Sequence, residues 1–259
     1  MPEKKVYSHS RISSFEKCPL KYKFHYIDKI VPEVGQSLEG FLGNIVHETL
    51  EWLYSIVKTG IVPSVDETIM HYSKIWEENY KEEDVIIQKG FTAQDYFNKG
   101  VRFILDYYLK YHPFDENTID LEKRIEIKLD DKGEYLLQGF IDRLVYNKDM
   151  KEFEIHDYKT SSSLPTKEKI DNDRQLALYS IAIKELFGKD KQVCLVWHYL
   201  NFNKKICLRK TEEQLEQLKK EVLELIKKIE SSKEFPPIKS PLCKWCEYFS
   251  ICPEWNLKI

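Results

Sequence analysis

The sequence predicts an α+β (mixed α/β) fold, a central mixed sheet flanked by helices, and three observations lead there. Residues 1–112 carry helical periodicity almost throughout. From Pro113 the pattern changes to strand-like alternation. A single helical segment then separates three consecutive strands from two more, an order that requires both hairpins and a crossover.

Taken in order, Ile12, Phe15, Tyr22 and Tyr26 recur at helical spacing within Ser8–Asp28. A loop around Pro32–Gln36 precedes an amphipathic helix at about Ser37–Thr59, and helical patterns cover about Val65–Tyr80 and Ala93–Tyr111. Ile119–Leu129 alternates as a strand, and Lys132-Gly133 is a turn signal. Tyr135–Tyr146 and Glu152–Lys159 are two more strands, turning at Asp149-Met150. A helix at about Asn172–Phe187 leads to a strand at Gln192–Leu200, a turn at Asn201–Lys204 and a strand at Lys205–Lys210. Thr211 opens a long helix to about Ser231, and Pro236, Pro237 and Pro241 end regular structure. The expectation is one domain over 1–259: a helical part (1–112), a core (113–235) and a cysteine-rich tail (236–259).

Composition bounds the function. The chain is 42% hydrophobic and 13% aromatic, values of a globular protein. No apolar run approaches the roughly 18 residues that cross a bilayer. Met1-Pro2-Glu3-Lys4-Lys5 leads into polar sequence without a signal-peptide apolar region. The chain is therefore expected to be soluble and cytoplasmic, with no membrane partner. Its net charge of −3 shows no basic excess, so any nucleic-acid surface must be a local patch. Six cysteines in a reducing compartment do not suggest a disulfide framework. Cys243, Cys246 and Cys252 crowd into ten residues, whereas Cys194 and Cys207 sit in strand-like apolar runs and are expected to be small buried hydrophobes.

Four segments carry chemistry: Gly43–Glu48 in a helix, Gly139–Arg143 on a strand, Ile155–Thr160 ending the next strand, and Gln175–Tyr179 on the following helix. Asp142 and Asp157 lie on successive strands and can sit side by side. Paired carboxylates are costly unless a cation neutralises them, and hard oxygen ligands suit Mg2+ or Mn2+. Lys159, two residues after Asp157, points to the same face. An activated water, a Lewis acid and a nearby cation are what phosphodiester hydrolysis needs. A bare Asp-x-Lys is commonplace, and a lone helical histidine such as His47 is usually structural. The strand positions raise their weight, since a neutral imidazole would complete a site begun by two carboxylates.

Arg11-Ile12-Ser13-Ser14-Phe15-Glu16-Lys17-Cys18-Pro19 resembles the opening of RecB-type PD-(D/E)xK nucleases. Gly-x-x-x-His, Gly-x-x-Asp-Arg, Asp-Tyr-Lys-Thr and Gln-x-x-x-Tyr follow in the family's order over about residues 8–255. The resemblance implies a restriction-endonuclease-like fold and DNA cleavage. It implies metal ligation by His47, Asp142, Asp157 and the Tyr158 carbonyl, with Lys159 as the catalytic lysine. Gln175 and Tyr179 would support the site or contact DNA, and Glu122 is similar to a further acidic position of the family or is simply exposed. Arg143 would orient carboxylates or form a surface ion pair. Cys18 with Cys243, Cys246 and Cys252 matches the family's pattern for an iron–sulfur cluster, implying a 4Fe–4S clasp of the chain ends; spacing alone leaves zinc open.

The resulting expectation is a deoxyribonuclease, an exonuclease on single-stranded DNA or duplex ends in recombination or repair. Aromatic residues such as Phe15, Tyr22, Phe24 and Tyr26 could stack on bases, although packing explains most of them. There is no Gly-x-x-x-x-Gly-Lys-Ser/Thr loop, so unwinding would need a helicase partner. The alternatives are a CRISPR-associated RecB-like nuclease working with an integrase, a non-catalytic DNA-binding module, and a zinc-stapled structural protein.

Overall fold

The computed structural model describes residues 4–32, 36–87 and 90–255, the side chains at 84 and 86 excepted. Strand β1 (Lys5–Ser8) leads into helices α1 (His9–Lys17) and α2 (Pro19–Tyr22), then a π-helical turn at Lys23–Ile27. The helical part continues with β2 (Gln36–Ser37), α3 (Leu38–Val57), α4 (Val65–Asn79), β3 (Val85–Ile86) and α5 (Ala93–Tyr111). Three long strands follow, β4 (Thr118–Lys128), β5 (Tyr135–Asn147) and β6 (Glu152–Lys159). Short α6 (Lys167–Asp171) and α7 (Gln175–Phe187) cross to β7 (Val193–Tyr199) and β8 (Lys204–Leu208), and α8 (Glu212–Ser231) precedes the tail.

Local chemistry sets the helix starts. Ser64 with Glu67 and Thr92 with Asp95 close capping boxes on α4 and α5, and Thr211 with Gln214 does so on α8. The expected helix over Ser8–Asp28 is instead divided. Lys5–Ser8 is extended and pairs in parallel with Tyr135–Gln138, and the Ser8 hydroxyl caps α1 by accepting from the Arg11 N–H at 3.1 Å. Cys18 is extended, and Pro19, which has no N–H to satisfy, restarts the helix. Of the loop expected at 32–36, residues 33–35 lie outside the described residues. The crossover helix begins at Gln175 and not Asn172, because Asn172 ends α6. Cys194 is buried as expected, but Cys207 is exposed because β8 is the edge strand, paired only with β7.

The main sheet has the order β1–β5–β6–β7–β8, with β4 also on β5. The β1/β5 and β6/β7 pairs are parallel and the rest antiparallel, the mixed sheet that the strand order requires. Because β4 runs along one edge of β5, β1 and β6 must share the other. β1 takes Tyr135–Gln138 and β6 takes Arg143–Asn147. Residues 139–142 fall between them, and this interruption of the ladder positions the site.

Each face of the sheet is covered. Leu137, Ile155, Leu195 and Trp197 pack with Leu178 and Ile183 of α7 and with Val222 and Ile226 of α8. On the other face Leu42, Leu50, Tyr72, Phe103 and Tyr107 of α3–α5 form a second core that also takes in Tyr158 and Leu200 from the sheet side. Burying each such side chain contributes about 1.5–3 kcal/mol. Since both cores share the sheet, helical part and sheet are expected to unfold together. Phe103→Ala should cost about 3–5 kcal/mol. Hydrogen exchange should then show amides of β6 and β7 losing protection along with those of α5; protection lost in α5 alone would mean two independent units.

Candidate active site

Where β1 ends and β6 begins, the strand β5 departs from regular alternation. Ile141 and Leu144, three positions apart, both pack into the core under α7, so the alternation slips by one residue between them. On β4 the residue opposite Asp142 is Glu122, flanked by the pairs Leu121–Arg143 and Lys123–Ile141, and Glu122 takes a left-handed φ of 43°. The ladder between β5 and β6 stops at Arg143–His156. Past that point the Asp142 carboxylate replaces it, its Oδ2 accepting the Tyr158 N–H at 3.1 Å.

Asp157 and Lys159 then stand on one face of β6, with Lys159 Nζ 2.9 Å from Asp157 Oδ1 and 2.7 Å from Oδ2. The Oδ2 contact is one of charge only, because no donor is aligned on that buried oxygen. From α3, His47 reaches into the gap, Nε2 at 2.7 Å from the Tyr158 carbonyl and Nδ1 at 3.2 Å from Asp142 Oδ2. Both ring nitrogens thus face oxygen acceptors, and a neutral ring can donate to only one of them. α3 comes this close because a Cβ at Gly43 would already stand 3.3 Å from Thr160 Oγ1.

Burial pushes Asp142 up to about 7, with the neighbouring Asp157 charge adding to it and His47 opposing it. Lys159 is pulled down by burial, but Asp157 and Asp142 outweigh this and hold it above the usual lysine range. It is a fixed cation at neutral pH. Tyr179 projects from α7 over Gly139, where any Cβ would overlap its ring, and its hydroxyl interacts with Gln175.

Three neighbours were not legible in the sequence. His9, the first residue of α1, is held down to about 4 by burial and by Arg174 and Lys159. Asp173, just before α7, is raised by burial against the opposing pull of Lys159. Burial raises the half-buried Glu122, and Glu51, one turn from His47 on α3, adds to it. Two desolvated carboxylates, a lysine ion-paired to one of them and a histidine bridging the other to a main-chain carbonyl can bind a hard cation and bring positive charge to a phosphodiester.

The family model of the PD-(D/E)XK nuclease superfamily matches residues 6–253. The chain belongs to that superfamily. Among solved structures, it is similar to a protein of Eubacterium rectale provisionally called an exonuclease, at 11% identity and a TM-score of 0.51, covering 100% of this chain and 94% of that one. The crystal structure of SSO0001 also matches, at 14% identity and a TM-score of 0.42, covering 98% and 88%. No curated protein sequence matches the chain. The mixed sheet with helices on both faces is the superfamily's restriction-endonuclease-like fold, and a superfamily of this kind supports a nuclease acting on DNA. No helix among the described residues is long and apolar enough to cross a membrane.

For a PD-(D/E)XK protein, Arg143 has an unexpected place. It neither lies on the surface nor orients the site carboxylates. It is fully buried, turned away from Asp142, with its guanidinium 3.9 Å from the Tyr54 ring. It bonds Glu116 at 2.7 Å, Thr118 at 3.3 Å and His156 Nδ1 at 2.7 Å. The alternation slip is what turns Arg143 to the α3 face, where strict alternation from Ile141 would have put it under α7.

The chain ends do meet. Lys21 pairs with Glu247 at 2.7 Å, Tyr248 is buried and bonds His25 and the Ile30 carbonyl, and the Ile238 N–H points at Cys18 Sγ at 3.5 Å. The expected ligand sets are not assembled, however. Among the described residues no three His, Cys, Asp or Glu side chains stand close enough together to hold a metal ion, so neither a closed four-cysteine cluster site nor a ready His47–Asp142–Asp157 set is present. At the site the acceptors are turned toward internal donors, with Lys159 on Asp157 and His47 on Tyr158. In the tail, Cys18, Cys243, Cys246 and Cys252 are free and partly buried.

Two outcomes follow from these contacts. An aspartate whose pKa rises on folding stabilises the folded state only while protonated: the contribution is present below its ordinary pKa and is lost as pH climbs through about 7. Asp142→Asn should therefore raise the melting temperature relative to wild type at pH 8 but not at pH 4, and Mg2+ should stabilise wild type at pH 8 and not the variant. Equal melting curves at pH 8 would refute the strain on Asp142. Removing the buried cation by Arg143→Ala leaves Glu116 and His156 without their partner and should cost about 3–5 kcal/mol in urea unfolding.

Proposed function

We propose that this protein is a metal-dependent deoxyribonuclease of the RecB type, an exonuclease on single-stranded DNA or duplex ends in DNA recombination and repair. The observation that carries the reading is the pair of desolvated carboxylates, Asp142 and Asp157, with Lys159 at the interrupted strand, in a chain of the PD-(D/E)XK nuclease superfamily.

The donor set fits Mg2+ or Mn2+. Asp157 Oδ2 is buried without an aligned donor, Asp142 is strained by burial and by its neighbour Asp157, and the Tyr158 carbonyl points into the same gap. Asp142, Asp157, the Tyr158 carbonyl and His47 would hold the ion. When bound, it supplies Lewis acidity and a water of lowered pKa. The chain's own residues do the rest. Lys159 keeps its proton, so its part is to place positive charge on a phosphoryl oxygen and orient the attacking water, not to act as a base. Tyr179 against Gly139 closes the floor of the site, and Gln175 fixes that hydroxyl. Glu122, held in a left-handed conformation across from Asp142, adds an acceptor at its rim.

For the clasp, the 4Fe–4S reading of Cys18, Cys243, Cys246 and Cys252 rests on donor chemistry. These are free thiols in two segments that pack together, and Cys18 and Cys243 each receive a backbone N–H, from Ile238 and Ser240.

The test is degradation of end-labelled single-stranded and duplex DNA by anaerobically purified protein with Mn2+ or Mg2+, or with chelator. Wild type should cleave only with the ion, and Lys159→Ala should lose about 10²–10³-fold in kcat, with Asp157→Ala at least as impaired. Wild type that is folded and cleaves no DNA under any of these conditions would overturn the reading. Iron and acid-labile sulfide in stoichiometric amount would support the cluster, and zinc in their place would replace it.

A further inference from the structure

A groove of about 430 Å³ leaves the site along α1, and its lining is unusual for a chain of net charge −3. Its inner end is His9 and Gln175, the first beside the Lys159 charge and the second on the Tyr179 hydroxyl. From there Ser13 and Lys17 follow at one-turn spacing on the same face of α1, and Lys21 continues the line on α2. Lys17 is exposed and forms no ion pair among the described residues, whereas Lys21 is held by Glu247 of the tail. Arg174 and Glu16 pair with each other at the rim. The acidic groups near the groove are thus matched by cations, and Lys17 remains as unbalanced positive charge.

The far wall carries a flat surface. Tyr26 lines the groove, its ring tilted on the buried Tyr22 at 5.1 Å and backed by the Arg11 guanidinium 5.3 Å from its centroid. Phe15 and Tyr22 are buried in packing, whereas Tyr26 packs on them partly buried, with the His25 ring edge-on to it at 4.5 Å. A row of hydroxyls and ammonium groups ending at a fixed aromatic ring matches a phosphate backbone with unstacked bases, and a paired duplex cannot offer a base face to Tyr26.

We propose that this groove is the track of an unpaired DNA strand entering the site, its phosphates along Ser13 and Lys17 and a base stacked on Tyr26. The proposal rests on the nuclease reading and adds to it the path and the single-strandedness of the substrate. Because Glu247 and Tyr248 help build the far wall, the meeting of the chain ends shapes the track itself.

The experiment is cleavage kinetics and, separately, fluorescence anisotropy in EDTA with a labelled oligothymidylate as probe. Lys17→Glu should raise KM and the dissociation constant about tenfold and flatten the salt dependence by about one unit of slope. Tyr26→Ala should raise the dissociation constant about fivefold or more. In both, the loss should fall on KM and not on kcat, circular dichroism should report an intact fold, and Lys74→Glu on α4 should leave binding as in wild type. Wild-type affinity in both groove variants would overturn the track. Absence of cleavage by wild type, with anisotropy still weakened by Lys17→Glu, would sink the nuclease reading and leave the track standing.

Discussion

Two carboxylates held beside each other in a desolvated gap repel, and most of the structure around the gap works against that repulsion. A sheet normally leaves no room for such a pair, since each backbone group is taken by the ladder. Here β1 and β6 share one edge of β5 in succession, and residues 139–142 are left between them. The Asp142 side chain then accepts the Tyr158 N–H that a ladder partner would have taken, which fixes it to β6 within reach of Asp157. Lys159 and His47 supply the offsetting charge and hydrogen bonds. Burial first, and then the Asp157 charge, push the Asp142 pKa up, a strain that a divalent cation would relieve more completely than a single lysine can.

The opposite face explains how the gap stays open. Arg143 and His156 are the last paired residues of β5 and β6, each next in sequence to a site aspartate. Behind the sheet they bond to each other, and His156 also meets Glu154 at 2.9 Å and His198 at 2.9 Å, with Tyr111 on His198 at 3.1 Å. Burial and the nearby Arg143 hold both imidazoles well below their ordinary pKa, so the rings are neutral acceptors and donors rather than charges. Such a network is costly to bury and costly to break, and it locks the two strands together where they part.

The sheet and its helices were largely legible because long elements announce themselves through periodicity and caps. What escaped was short or tertiary. β1 spans four residues and its alternation merges with the start of α1; β2 and β3 span two each; α6 spans five. At the site, Asp142, Asp157 and Lys159 were readable because each ends or interrupts a strand in sequence. His9 and Asp173 were not, since their closeness to Lys159 depends on where β1 docks and how the α6–α7 connection turns. Arg143 was misread for the same physical reason: strict alternation cannot reveal a one-residue slip. Cys207 was misread because an apolar run does not say which strand lies at the edge.

That dependence on β1 gives the tail a role beyond tying up the chain ends. His9 and the start of the groove are placed by a four-residue parallel strand, assisted by the Lys5–Glu230 pair at 2.6 Å and by Arg11 bonded to the Val6 carbonyl at 3.1 Å. So short a strand contributes little ordering by itself. At the other end of α1 and α2, Glu247 holds Lys21 and Tyr248 fills the space between His25 and Ile30. The α1–α2 segment is thus anchored at both ends, by the sheet and by the tail. Any ligation energy that Cys18 and the three tail thiols gained would become positional energy for α1, because a site closed only in the folded chain adds its binding free energy to folding. A clasp of this kind would act on the site from a distance through the α1–α2 segment, with no need to touch the reacting atoms.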